Sequence, residues 1–224
     1  KKQEAVNTAS VEIKNPNLWS AETPYLYTAI LELKDKTGKT LEAMSSQFGF
    51  RKIEIKNKRV YINNEQVFFK GANRHDIHPQ YGKAVPVESI IEDILLFKRH
   101  NLNTIRTSHY PNDAKMYALH DYYGIYVMDE ADIECHGNQS ISDKESWIPA
   151  YVDRMVRMIE RDKNHPSVIF WSMGNESGGG KNFDTVIEEA RKLDSRPIHY
   201  EGKNRIADMD SRMYPSIESM QQQD

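Results

Sequence analysis

Val168-Ile169-Phe170-Trp171-Ser172-Met173-Gly174-Asn175-Glu176-Ser177-Gly178-Gly179-Gly180 is the stretch on which the reading of the chain turns. It begins as an apolar run too short for a helix and rich in β-branched and aromatic residues, the pattern of a buried strand. It stops abruptly at Gly-Asn-Glu and three glycines. Glycine permits a sharp turn and leaves room for a ligand beside the backbone. Glu176 therefore stands at the C-terminal lip of a buried strand, with the Asn175 amide next to it. In a parallel α/β barrel that lip is where catalytic groups collect. An isolated Asn-Glu would read better as a helix cap. Here the same polar punctuation recurs at other strand ends.

Upstream, from Phe68 on, the texture alternates strand, helix, strand, helix. Phe68 to Gly71 reads as a strand ending in Ala72-Asn73-Arg74-His75. Val87, Ile90, Ile91, Ile94 and Leu95 share one face of a helix. Asn103 to Arg106 is the next strand, ending in Thr107-Ser108-His109-Tyr110-Pro111. A helix from about Asn112 to Tyr123 stops at Gly124. Ile125 to Met128 is the third strand, ending in Asp129-Glu130-Ala131-Asp132-Ile133-Glu134-Cys135-His136-Gly137. Val152, Met155, Val156 and Ile159 mark a helix that ends before His165-Pro166. Downstream, Phe183, Val186, Ile187 and Ala190 mark another. Ile198 to Gly202 is the fifth strand, Asp208 to Tyr214 is read as the start of a sixth, and Glu218 to Asp224 as a solvated tail. Repeated β-α units imply a parallel sheet covered by helices. A doubly wound sheet and an eight-fold barrel both fit. The absence of a Gly-x-Gly-x-x-Gly after the first strand and the polar clusters on four successive strand ends favour the barrel.

Residues 1 to about 55 read differently, as all-β. Tyr27, Ala29, Leu31 and Leu33 lie on one face of an alternating run. Asp35-Lys36-Thr37-Gly38 is turn chemistry, and Thr40 to Phe50 is the returning strand. Two or three strands make no stable sandwich alone, so this segment is expected to be the second half of one. Val60 to Phe69 resembles a hairpin turning at Asn63-Asn64. The expected domains are 1–55, the C-terminal part of a β-sandwich, and 56–224, the first part of a barrel.

The strand ends would bring together Asn73, Arg74, His75, His78, Arg106, His109, Asp129, Glu130, Glu134, His136, Asn175 and Glu176. Glycoside hydrolysis needs such a mixture: one carboxylic acid to protonate the leaving oxygen, a second to attack or activate water, and polar groups to hold sugar hydroxyls. Each residue also has a plainer reading. Arg106 would pair with a carboxylate on a neighbouring strand, His75 and His109 would be hydrogen-bonded strand-end residues, Asp129 and Glu130 caps or ion-pair partners, and Trp171 core. Glu134-x-His136 near Glu176 offers an oxygen-rich metal site, whose imidazole suits zinc or manganese better than magnesium. His75-Asp76-Ile77-His78 admits a zinc-hydrolase reading, although such barrels carry His-x-His on the first strand.

The composition excludes more than it assigns. The 224 residues carry a net charge of −3 and no basic tract, against a nucleic-acid partner. No apolar run is long enough to span a membrane. Lys1-Lys2-Gln3-Glu4 is no signal peptide, and a chain starting without Met reads as a piece of a longer one. The single Cys135 fits a reducing compartment, and a cytoplasmic location is expected.

Asn73 to Pro79, Arg106 to Pro111, Asp129 to Gly137, Arg161 to Ser167 and Gly174 to Gly178 together resemble the bacterial β-galactosidases of glycoside hydrolase family 2. Leu18 to Tyr27 and Phe48 to Lys52 resemble that family's immunoglobulin-like domain just before its barrel. Ser177-Gly178 after Asn175-Glu176 looks like the galactosidase branch, since β-glucuronidases more often have Pro there. The resemblance implies an α/β fold, a partial TIM (β/α)8 barrel preceded by part of an immunoglobulin-like β-sandwich. It implies a retaining hydrolase of terminal β-D-galactose, acting on β-galactosides such as lactose, with Glu176 as general acid/base. Asn175, His75, His109 and Arg106 would bind substrate, and Glu134, His136 and Glu176 would hold Mg²⁺, with Mn²⁺ as the alternative. A complete barrel takes about 200 residues or more, and the stretch after Phe68 is shorter. The nucleophilic Glu is therefore expected beyond residue 224, the isolated chain is expected to be inactive, and the parent to be a homo-oligomer. The rivals are another glycosidase of the family, such as a β-glucuronidase, and a non-catalytic carbohydrate-binding module.

Overall fold

The computed structural model describes residues 6–202 and 204–222. The N-terminal Lys1-Lys2-Gln3-Glu4 and the last residues of the tail, Gln223 and Asp224, lie outside the described residues. The centre of the fold is a five-stranded, all-parallel sheet of β6 (Gly71–Arg74), β7 (Thr104–Thr107), β8 (Tyr126–Glu130), β9 (Val168–Asn175) and β10 (Ile198–Glu201). Each strand is bonded to its sequence neighbour, in the order β10-β9-β8-β7-β6. A doubly wound sheet reverses direction at a switch point; this one does not, so it is a singly wound arc of a barrel.

Helices α1 (Val87–Arg99), α2 (Ala114–Tyr123), α3 (Ile148–Asp162) and α4 (Asn182–Leu193) cover the outer face. Their apolar stripes do this: Ile90 and Ile94, Met116 and Tyr117, Met155 and Ile159, Phe183 and Val186 meet Ile105, Val127, Val168 and Trp171 in one core. Asp113 caps α2 by accepting from the Lys115 amide at 2.8 Å, and Gly124 closes it in the left-handed region at φ 75°.

The N-terminal part is β. An antiparallel pair, β1 (Tyr27–Lys34) and β2 (Thr40–Phe48), precedes a small sheet of β3 (Ile53–Lys56), β4 (Arg59–Ile62) and β5 (Glu65–Gln66). Asn63 and Asn64, at φ 55° and 73°, make the two-residue turn between β4 and β5. This part is tied to the barrel from below. Trp19, fully buried, donates Nε1–H to the Asp121 carbonyl at 2.8 Å, and Arg51 donates to the Val168 carbonyl at 2.9 Å.

Two expectations are corrected. The first barrel strand is Gly71–Arg74, not Phe68–Gly71. Asn103 bonds the Phe68 carbonyl and the Lys70 amide, so ladder pairing starts only at Gly71, opposite Thr104. Asp208 to Tyr214 forms no strand among the described residues. Asp208 instead accepts the Ile198 amide on its side chain and bonds the Ile198 carbonyl with its own amide, which pins it to the start of β10. The described part of the tail is solvated as expected, and within it a short helix, α5 (Ile217–Gln221), is capped by Ser216 and buries no residue.

Candidate active site

β9 is buried along its whole length and delivers Asn175 and Glu176 to the barrel mouth. The turn depends on Gly174, at φ 148°, where a Cβ would lie 2.3 Å from the Ile133 carbonyl oxygen. The room that glycine leaves is filled by the loop after β8 rather than by a ligand. The Asn175 amide donates to that same carbonyl at 3.0 Å, and Glu134 bridges to Asn175 as a parallel extension of the sheet. Glu176 follows with φ 41°, its amide held by the Glu201 carbonyl at 2.7 Å. The lip of β9 is thus fixed on both sides, by β8's extension and by β10.

Glu130, at the end of β8, is the hub. It is fully buried and accepts from Arg106 Nε at 2.7 Å, His109 Nδ1 at 2.6 Å and Ser172 Oγ at 2.5 Å. Burial, the largest influence, works against its ionisation. The His109 hydrogen bond, the Arg106 charge and the Ser172 bond outweigh it and hold the carboxyl below the ordinary range. Arg106 also donates to Asn175 Oδ1 at 3.0 Å and Asn73 Oδ1 at 3.3 Å. Asn175 Nδ2 in turn donates to Glu134 Oε1 at 3.1 Å and Glu176 Oε2 at 3.2 Å. One continuous network therefore runs from the buried Glu130 to the two carboxylates at the surface of the mouth.

Glu134, His136 and Glu176 each offer a ligand atom, and these atoms lie within 4.8 Å of one another. No cationic side chain is bonded to either carboxylate among the described residues, and His136 Nδ1 lies 3.6 Å from Glu176 Oε2. Two carboxylates and one imidazole fit a divalent cation. His75 is exposed and sits edge-on to His109, with ring centres 5.5 Å apart, and beside Tyr110. All the residues expected to bind substrate or metal thus lie around one mouth. His78 does not join them: its ring accepts the Gln80 and Tyr81 amides in a local turn. Arg74 is engaged by Asp76 and Asp93, and Asp129 lies beneath the mouth, bonded to Tyr117. Both serve the scaffold.

Sequence reasoning counts Glu130 among the converging groups only as a cap or ion-pair partner, and it passes over Ser172 and His199. The signal that could have found them is a polar residue two positions after Phe170 in an otherwise apolar buried strand, beside a second one on β10.

Fold and site together define a (β/α) barrel with a carboxylate-rich mouth. The chain belongs to glycosyl hydrolases family 2: that family's TIM barrel domain matches residues 53–224, and a further description of the same family matches residues 1–51. It is 44% identical over 218 residues to a β-galactosidase of Pectobacterium atrosepticum, across 94% of this chain and 21% of that protein. Among solved structures it resembles a β-D-glucuronidase from Dictyoglomus thermophilum (TM-score 0.75, 32% identity, covering 86% of this chain and 36% of that one). A Ruminococcus gnavus β-glucuronidase bound to D-glucuronic acid gives a TM-score of 0.74 at 29% identity, covering 82% and 32%. The chain therefore spans about a fifth of the length of the curated relative and about a third of these structures.

Proposed function

We propose that this chain contributes the acid/base half of a retaining β-galactosidase active site. Glu176 protonates the departing glycosidic oxygen and then, as carboxylate, takes a proton from the incoming water. Asn175 sits beside it to hold a sugar hydroxyl, and Arg106, His109 and His75 line the same mouth. The observation that carries this reading is the network joining Arg106, Asn175, Glu134 and Glu176, in a chain 44% identical to a β-galactosidase.

A retaining mechanism needs a second carboxylate about 5 Å away across the bond. Glu134 is near enough, but one Asn175 nitrogen donates to both it and Glu176, so the two stand on one side of the amide. Glu130 is occupied by Arg106, His109 and Ser172, and Glu201 by Ser211. The nucleophile is therefore assigned to the remainder of the parent protein. Glu134, His136 and Glu176 would hold Mg²⁺, or Mn²⁺ in its place. A divalent cation there supplies positive charge that fixes the acid and tunes its protonation.

Galactose is preferred over glucuronic acid on sequence similarity and on Ser177. Ser177 accepts the Cys135 amide at 2.7 Å, while its own amide donates to Tyr200 Oη at 3.1 Å; proline at this position would remove both links. Kinetics of the full-length protein on matched aryl β-D-galactosides and β-D-glucuronides test the proposal. Higher kcat/KM for the galactoside is expected. Higher kcat/KM for the glucuronide would overturn the sugar assignment, and turnover of neither would overturn the glycosidase.

A further inference from the structure

Behind Glu130 the hydrogen-bond network continues in a direction that the reaction does not explain. Ser172 Oγ lies 2.5 Å from Glu130 Oε2 and 2.8 Å from His199 Nδ1. His199 Nε2 lies 2.8 Å from Ser211 Oγ, which is also bonded to the Glu201 carboxylate. Ser172, His199 and Glu201 are all buried, so each link has to be filled from within the protein.

Counting protons fixes the direction of the chain. Glu130, ion-paired to Arg106, is a carboxylate and only accepts. Ser172 has one proton and must give it to Glu130. Its oxygen then accepts, so His199 must donate from Nδ1. Burial, with the Arg106 charge nearby, pushes the His199 imidazole down to about 4, so the ring is neutral and Nε2 carries a lone pair. The Nδ1 side is always engaged, whereas Ser211 divides its one hydroxyl proton between Nε2 and the Glu201 carboxylate.

We propose that His199, through its Nδ1–H and Ser172, is a positioning residue that holds Glu130 and thereby sets the placement of Arg106 and His109 at the barrel mouth. This rests on the glycosidase reading only for its kinetic consequence. β10 braces β8 from behind, across β9, and the brace passes through a single imidazole tautomer. A small misplacement of groups that orient a substrate costs up to about 100-fold in rate.

The test compares His199→Leu, His199→Gln and His199→Asn in the full-length enzyme, by crystal structure and by kinetics on an aryl β-galactoside. Asparagine places its amide nitrogen where Nδ1 stood, whereas glutamine places it where Nε2 stood. His199→Leu and His199→Gln are expected to shift the Glu130 and Arg106 side chains and to lower kcat about 10- to 100-fold. His199→Asn is expected to restore both positions and to recover most of the rate. Glu130 and Arg106 unmoved in the leucine variant, or no recovery with asparagine where glutamine fails, would overturn the proposal. An enzyme without galactosidase activity would sink the functional reading, while the side-chain positions would still decide this one.

Discussion

Glu130→Gln is the perturbation that tests the hub most sharply. The substitution keeps the shape of the side chain and removes its charge. It also places an amide nitrogen, a donor, among groups that already donate: Arg106 Nε at 2.7 Å, His109 Nδ1 at 2.6 Å and Ser172 Oγ at 2.5 Å. Arg106, whose side chain is 13% exposed, loses the carboxylate charge and keeps neutral amide oxygens in its place, those of Asn73 and Asn175 and that of the introduced glutamine. Breaking a buried ion pair by neutralising one partner costs about 3–5 kcal/mol. At about 2–4 °C per kcal/mol for a cooperative unit the size of this chain, the transition in which the barrel unfolds should move down by roughly 6–20 °C. Thermal unfolding of the full-length protein at neutral pH, in low and in high salt, reads this directly. The loss should persist in high salt, because a buried pair is poorly screened. A fall of less than about 3 °C, or one that vanishes with salt, would show that the pair behaves like an exposed one and that Glu130 is no hub.

Three further outcomes are expected. His120 is buried with neither ring nitrogen bonded among the described residues, and burial pushes it to about 3 from 6.5; His199 is pushed to about 4. Both fold as neutral rings and unfold into rings that bind protons below about 6.5. Each should therefore contribute a stability loss of up to about 1.4 kcal/mol per pH unit as pH falls from 6.5 towards those values; His120→Leu should flatten the acid limb of a Tm–pH profile, and an unchanged limb would contradict this. Asp129, fully buried beside the Asp162 carboxyl, is pushed well above the ordinary carboxylate range, mainly by burial. Asp129→Asn keeps an acceptor for Tyr117 and should leave Tm at neutral pH equal or higher, whereas a marked fall would show that the ionised form is the folded one. Finally, Glu134→Ala and His136→Ala should each lower the divalent-metal content of dialysed full-length protein, measured by elemental analysis; retention of one equivalent in both variants would remove the metal from this site.

The sequence made the scaffold legible because its signals are local and periodic. The apolar stripe of α1, the Asn63-Asn64 turn and the Gly124 helix stop each declare themselves within a few residues. The lip of β9 was legible for the same reason. What escaped depends on partners far apart in the chain. Phe68-Phe69 looks like strand core until Asn103, more than thirty residues on, is seen to bond the backbone beside it. Arg106 could be expected to pair with a strand-end carboxylate, but Asp129, Glu130 and Glu134 were equally eligible. The choice follows from register: Arg106 lies opposite Met128, which puts Glu130 two residues on, on the same face. Ser172 and His199 each stand out as a polar residue in a buried strand, but that they meet follows only from the pairing of β9 with β10, which sets His199 opposite Ser172.

The role proposed for Glu176, the acid of a glycosidase, is tested by leaving-group dependence. Glu176→Gln in the full-length enzyme should be measured in single turnovers on aryl β-galactosides of graded leaving-group pKa. A phenol of high pKa needs the proton, so glycosylation should slow by about 100-fold or more. An activated phenol leaves unaided, and its loss should be much smaller. The two rates are expected to diverge steadily as leaving-group pKa rises. Equal losses across the series would contradict that role.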